Sequence, residues 1–297
     1  MRAEKKATVV STSVATFLVL MKMSIGVLSG SIAVLASAID SLLDLIVSLF
    51  NYFALHNAEK DPDDSFNFGR GKIEPLAAVI EGTVISLSAL FILYEALVKI
   101  THPREMEFVG ISIVVMLFSI VITSFLVIYL NHIAKKTGNM VIKADALHYK
   151  TDIFSNAAVL LSLTLVSLSG YSIIDALLGI VIGIYMIYSS LPIIKDGIMM
   201  LLDAALPQED IKKITDTIES QKETTNYHHL QTRESGSHVF ISVHIVFNIS
   251  ISLYDAHLIS DKLEIKIKKL FEDKKVHVLI HMDPYDDSQI NEKEDFY

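Results

Sequence analysis

Asp40 and Asp44 stand four residues apart in AIDSLLD, and His148 and Asp152 repeat that spacing in ADALHYKTD. Residues at i and i+4 share one face of a helix, so each stretch offers two side chains together. Three carboxylates and one imidazole form a ligand set suited to a divalent cation, tetrahedral Zn²⁺ among them. Both pairs lie inside long apolar runs, where an ionisable residue is costly and marks a functional site by default. A bound cation would offset that cost. The alternative is that they pair with Lys22, Lys143 or Lys150, or line a water cavity.

The elements that must hold these residues are legible in the hydropathy. The chain is 52% hydrophobic, and its apolar residues gather into six runs near 7–29, 31–55, 75–98, 108–130, 141–168 and 172–194. Each reaches the roughly 20 residues that span a bilayer core of about 30 Å. The first run follows MRAEKK as a secretory signal would, but it is too long, contains Lys22 and leads straight into a second run, so it is expected to stay. Beyond Leu206 the sequence turns mixed and charged. The expected fold is an all-α membrane domain of six transmembrane helices over 1–205, a small α+β domain over 206–286 and a polar tail over 287–297. For the α+β domain we expect a helix at 208–221, strands near 228–234 and 238–247, a helix at 252–273 and a strand at 275–282, in the order αββαβ.

Loop charge sets the orientation. Arg2, Lys5, Lys6, Lys60, Arg70, Lys72, Lys135, Lys136 and Lys143 fall on one side, against Lys99 and Arg104 on the other. The positive-inside rule then puts both termini in the cytoplasm. At 1.5 Å per residue Asp40 lies roughly 14 Å deep, with Asp44 a turn further on, and His148 and Asp152 lie roughly 10 and 16 Å in from the opposite face. Two helices thus bring their pairs to one level.

Carboxylates and imidazole shed protons when they bind metal. Metal arriving from one side displaces protons, and protons from the other side displace metal, which is the chemical basis of an antiporter. Asp145 stands on the same face nearer the cytoplasm and suits either a guide for arriving cations or a surface carboxylate. Glu81, in PLAAVIEGTV, suits either a proton relay or a structural hydrogen bond. The chain has no cysteine, which excludes disulfides and thiolate metal sites. The net charge of −9 is concentrated beyond Leu206, with 17 acidic against 11 basic residues, so nucleic acid is not an expected partner. No nucleophile–base set and no phosphate-cradling glycine loop is present, which argues against an enzyme.

AIDSLLD, GRGKIEP and ADALHYKTD together resemble the cation diffusion facilitator family of divalent-metal/proton antiporters, especially its bacterial ferrous-iron and zinc efflux members. The resemblance covers nearly the whole chain. It implies a homodimer in the bacterial inner membrane, with a metallochaperone-like cytoplasmic domain, and a transport site of Asp40, Asp44, His148 and Asp152. It also implies a cytoplasmic two-metal site of His228, His244, His257, His281 and Asp283, and an inter-subunit ion pair between Lys72 and Asp203. His229, His238 and His277 match nothing in the family pattern and are expected at the surface. In DPDDSFNFGRGK, Phe66 and Arg70 stand where the family has ligand histidines, leaving Asp63 alone, so a further site in that loop is expected to be absent.

The leading function is export of a divalent cation against inward protons, with a passive metal channel or a membrane-tethered metal sensor as the alternatives. A channel needs weak sites, whereas four convergent ligands bind tightly. A sensor has no use for intramembrane ligands. The ligand set admits Zn²⁺, Fe²⁺, Cd²⁺, Co²⁺ or Mn²⁺, and the imidazole favours Zn²⁺ and Fe²⁺ over Mn²⁺.

Overall fold

The computed structural model describes residues 3–29, 32–101, 110–169, 173–271, 274–286 and 288. Arg2 and Arg104 of the charge pattern, and all of the tail but Ser288, lie outside the described residues. The chain divides into two compact units, Met1–Ile198 and Met199–Tyr297.

The first unit is built from α1 (Ala3–Ser29), α2 (Ile32–Ala58), α3 (Ile73–Thr101), α4 (Gly110–Thr137), α5 (Met140–Ser169) and α6 (Ile173–Leu201, which runs just past the division). Among the described residues, five stretches are long and apolar enough to cross a membrane: Ala3–Leu28, Ser37–Ala58, Ile73–Thr101, Ile113–Thr137 and Ile173–Leu201. Leu87, Val121, Phe125 and Ile128 are exposed on the outer surface of these helices, as lipid-facing residues are. Helix α5 is as long as its neighbours, at 30 residues. It falls short in hydropathy because its first half carries Lys143, Asp145, His148, Lys150 and Asp152. The helix that looks least like a span is the one that holds most of the chemistry.

Helix α5 is phased by its own start. Gly138 takes a left-handed φ of 67° to end α4, and its N–H donates to Ala134 O at 2.9 Å. Asn139 then caps α5, its Oδ1 accepting from Ile142 N–H at 3.1 Å. Glu74, in the first turn of α3, accepts from Met140 N–H at 2.8 Å. That puts a carboxylate at the positive end of the α5 dipole. The rotation of α5 is therefore tied to α3, which decides where Asp145, His148 and Asp152 point. Helix α1 packs along α2 and touches α4, and α5 lies between α3 and α4 with α2 alongside. Gly183 lets α6 close onto α3: a Cβ there would lie 2.6 Å from Leu93 Cγ.

The second unit runs α7 (Gln208–Glu219), β1 (Asn226–Ser235), β2 (His238–Val246), α8 (Leu253–Lys268) and β3 (Lys275–Asp283). Its sheet has the order β1-β2-β3. Strands β1 and β2 form an antiparallel hairpin turned at Gly236, whose φ is 58°. The α8 crossover makes β2 and β3 parallel. Helix α8 starts on Ser252, whose Oγ accepts from Asp255 N–H at 3.1 Å. It stops at Lys268, five residues short of the sequence expectation, because Leu270 and Phe271 turn back onto the core. Val239, Ile241, Val243 and Ile245 of β2 pack against Ile214, Ile218, Leu263 and Ile267 of the two helices. Period-two alternation sends Phe240, Ser242 and His244 to the opposite, open face.

Candidate metal sites

In the helical unit, Asp44, His148 and Asp152 converge, with one ligand atom from each lying within 4.8 Å of the others. His148 Nε2 is 3.2 Å from Asp44 Oδ1 and 3.8 Å from Asp152 Oδ2. The first contact joins α5 to α2 and the second runs along α5. Asp40 is exposed and stands outside this group, although it is one turn from Asp44. The set is partly open rather than sealed, with side-chain exposures of 24% for Asp44 and 12% for His148.

Lys22, Lys143 and Lys150 have other partners. Lys22 is buried, and its Nζ donates to Ser41 Oγ at 2.8 Å and Ser37 O at 3.5 Å. Lys143 pairs with Asp196 at 3.4 Å. Lys150 lies over the rings of Phe154 and Tyr185. Lys22 is held on Ser37 and Ser41 of α2, the helix that carries Asp40 and Asp44, and makes no direct contact with the ligand set.

A second polar cluster is more completely buried. Asp145 is fully buried, so the surface-carboxylate reading does not hold for it. Asn51 Nδ2 donates to Glu81 Oε2 at 3.0 Å and to Asp145 Oδ1 at 3.4 Å, linking α2, α3 and α5.

In the second unit, the sheet register lines up three imidazoles. His228 faces His244 across the hairpin, and His244 faces His281 across the parallel pair. Asp283 lies two residues along β3, on the same face as His281. Its Oδ2 is 3.0 Å from His244 Nδ1 and 3.5 Å from His228 Nε2, while its Oδ1 is 3.1 Å from His281 Nε2. His228, His244 and Asp283 form a compact set within 4.8 Å. A carboxylate with imidazoles on both oxygens has the chemistry to bridge two cations. His257 is not in that set; it is exposed on α8, 3.7 Å from Asp261.

One of the unassigned histidines behaves otherwise than expected. A bulge between His228 and Gln231 interrupts β1, and His229 within it has a φ of 48°. Consecutive strand residues normally point to opposite faces, but here the His229 ring lies 4.8 Å from that of His228 and 5.2 Å from that of His244. Its Nε2 is buried without a hydrogen-bond partner. The doublet HH was the only signal available in the sequence. His238 and His277 do lie at the surface, paired at 3.1 Å and stacked with Phe240.

Comparison with known proteins decides the family. Residues 8–202 match the cation efflux transmembrane domain, and residues 206–285 match the cytoplasmic domain of cation efflux proteins. The chain belongs to the cation diffusion facilitator family. Family members are transporters, and this chain is a multi-pass membrane protein and not an enzyme. It is similar to the cation-efflux pump FieF of Escherichia fergusonii, at 35% identity over 283 residues, covering 95% of this chain and 93% of the relative. The FieF pumps of Escherichia coli O1:K1 and Escherichia coli SMS-3-5 match at the same identity and coverage.

Two family positions have local partners of their own. Asp203, just after α6 with a φ of 57°, accepts from Arg233 Nη1 at 3.1 Å. In the loop after α2, Asp63 caps its own turn by accepting from Ser65 and Phe66 N–H. Its other oxygen takes Arg70 Nη2 at 2.6 Å, and the Arg70 guanidinium also covers the Phe66 ring at 4.2 Å. The Arg70 hydrogen bond holds the Asp63 carboxyl below its usual range. A lowered pKa keeps this pair intact at neutral pH and releases it only as the pH falls below the ordinary aspartate range. Crystals soaked in zinc are expected to show no anomalous peak on Asp63. A peak there would mean that the metal had displaced a guanidinium.

Proposed function

We propose that this protein is a proton-coupled antiporter that exports a divalent cation from the cytoplasm, with Zn²⁺ and Fe²⁺ as the foremost substrates and Cd²⁺, Co²⁺ and Mn²⁺ also within its chemistry. The observation that carries this reading is the convergence of Asp44, His148 and Asp152 within 4.8 Å between two helices of the membrane domain. All three must be deprotonated to hold a metal, so binding and proton release are one event. Asp40 completes the set as a fourth ligand, one turn away on α2. Lys22, buried beside α2, would disfavour the cation whenever it is protonated and so ease release.

In this reading α5 is the sixth span, since its polar half faces the bundle and α4 and α6 on either side of it qualify as spans. Both termini then lie in the cytoplasm of a bacterial cell, and the protein sits in the inner membrane. The protein works as a homodimer, as the match to the cytoplasmic domain suggests, with Lys72 of one protomer approaching Asp203 of the other. His228, His244, His281 and Asp283 hold regulatory cations in the cytoplasm, and His257 completes that site.

Proteoliposomes with an imposed pH gradient test the proposal. Zinc is expected to accumulate inside only when the lumen is acidic, and to stop when a protonophore collapses the gradient. Metal equilibration that ignores the gradient would identify a passive channel. No flux from well-folded dimer would leave a metal sensor.

A further inference from the structure

The cluster of Asn51, Glu81 and Asp145 is not accounted for by the transport set. All three side chains are buried, Glu81 at 2% exposure and the other two at 0%. The Asn51 amide gives its Nδ2 hydrogens to one oxygen of each carboxylate. That leaves Asn51 Oδ1, Glu81 Oε1 and Asp145 Oδ2, all buried without a hydrogen-bond partner. No lysine or arginine among the described residues pairs with either carboxylate. Two buried carboxylates bridged by a neutral amide, with only the His148 ring and the Ser11 hydroxyl nearby to offset their desolvation, are costly in a membrane domain.

The arrangement brings two carboxylates and an amide together from three helices, a group that a cation could bind. Each unpartnered carboxylate oxygen shares a carbon with one that touches Asn51, so these atoms belong to a single cluster. A half-turn of the Asn51 amide about its side-chain bond exchanges Nδ2 for Oδ1. The group that bridges the carboxylates as a donor then becomes a third acceptor. Oxygens from three helices would surround a divalent cation, with water completing the shell. This donor set is all oxygen, harder than the imidazole-containing transport set.

We propose that Asn51, Glu81 and Asp145 form a second cation site in the membrane domain, which receives a divalent cation and passes it to Asp44, His148 and Asp152. Asp145 is one turn before His148 on α5 and Asn51 is two turns past Asp44 on α2. Both offsets point to the cytoplasmic side in the orientation proposed above. A cation held there ties α3 to the two helices that carry the transport ligands. The staging role rests on the transport-site reading, whereas the existence of the site does not.

The experiment counts Mn²⁺, an oxygen-preferring probe, bound to the full-length protein in detergent by equilibrium dialysis and by its paramagnetic resonance signal. A variant carrying Asp44→Ala, Asp152→Ala, His244→Ala and Asp283→Ala removes both histidine-containing sites. It is expected to retain one saturable Mn²⁺ per protomer. Adding Glu81→Gln, which keeps the shape and the Asn51 hydrogen bond, is expected to abolish that binding, and Asp145→Asn in its place to do the same. In otherwise unaltered protein, Glu81→Gln is expected to lower the zinc flux at subsaturating metal about tenfold, with a smaller change at saturation. Absence of Mn²⁺ from the first variant, or binding that survives Glu81→Gln and Asp145→Asn, overturns the site. A transport-site failure shows separately, as flux through the single Asp44→Ala and Asp152→Ala proteins.

Discussion

Replacing Asp44 or Asp152 with alanine is expected to reduce metal flux in proteoliposomes by at least a hundredfold, while each variant still inserts and dimerises. The expectation rests on geometry. His148 Nε2 lies between the two carboxylates, 3.2 Å from Asp44 on α2 and 3.8 Å from Asp152 on α5. Removing Asp44 takes away the α2 member of the compact set and its contact with His148. Removing Asp152 leaves a single imidazole and a single carboxylate in the compact set, too few to strip a cation of its water. Neither change opens a core cavity, since both side chains are partly exposed, so global stability should move by no more than about 1 kcal/mol. Flux and dimer content measured on the same preparations decide the matter. Near wild-type flux in either variant would remove that residue from the transport site.

The double change of His244 and Asp283 to alanine is expected to separate regulation from transport. These residues link β2 to β3 and, through His228, β1 to both. Metal on them fastens three strands at once. A ligand at a hundred times its dissociation constant stabilises the native state by about 2.7 kcal/mol. For a domain of about 100 residues that corresponds to a rise of roughly 10–20 °C in unfolding temperature. In the double variant of the full-length protein, zinc should give the cytoplasmic unit little of that rise. Proton-driven flux should persist, lowered severalfold, because a cation bound outside the bilayer has not begun to cross. Complete loss of flux in well-folded dimer would make the cluster part of the transport mechanism and sink the modulator reading.

Much of this was legible before any coordinates. The DxxxD and HxxxD spacings put each ligand pair on one helical face, since the 3.6-residue period acts locally. The alternation in VFISVHIVF separated core residues from the open face of β2, and the order αββαβ followed from turn residues and apolar runs. These features depend on residues near one another in the chain. Hydropathy was less reliable where function intruded: α5 loses apolar character because its first half is charged.

Tertiary structure decided what depends on rotation and register between elements. Asp40 and Asp44 are equivalent by spacing, yet only Asp44 meets His148 in the compact set, because packing of α2 against α5 fixes the azimuth of each helix. By sequence Asp145 suits a guide for arriving cations and a surface carboxylate equally, but with the start of α5 pinned by Glu74 and Asn139 it is buried against Asn51. The family pattern leaves His229 unassigned, but a bulge with a positive φ carries its ring beside that of His228. Arg70 could be seen to repel a cation from its charge alone, whereas its bond to Asp63 required the folded loop. The sequence by itself determined which chemical groups each helix and strand carries and at what spacing. Only the fold chose which of them meet, because helix rotation, strand register and a single bulge are set by the sum of many contacts between segments distant in the chain.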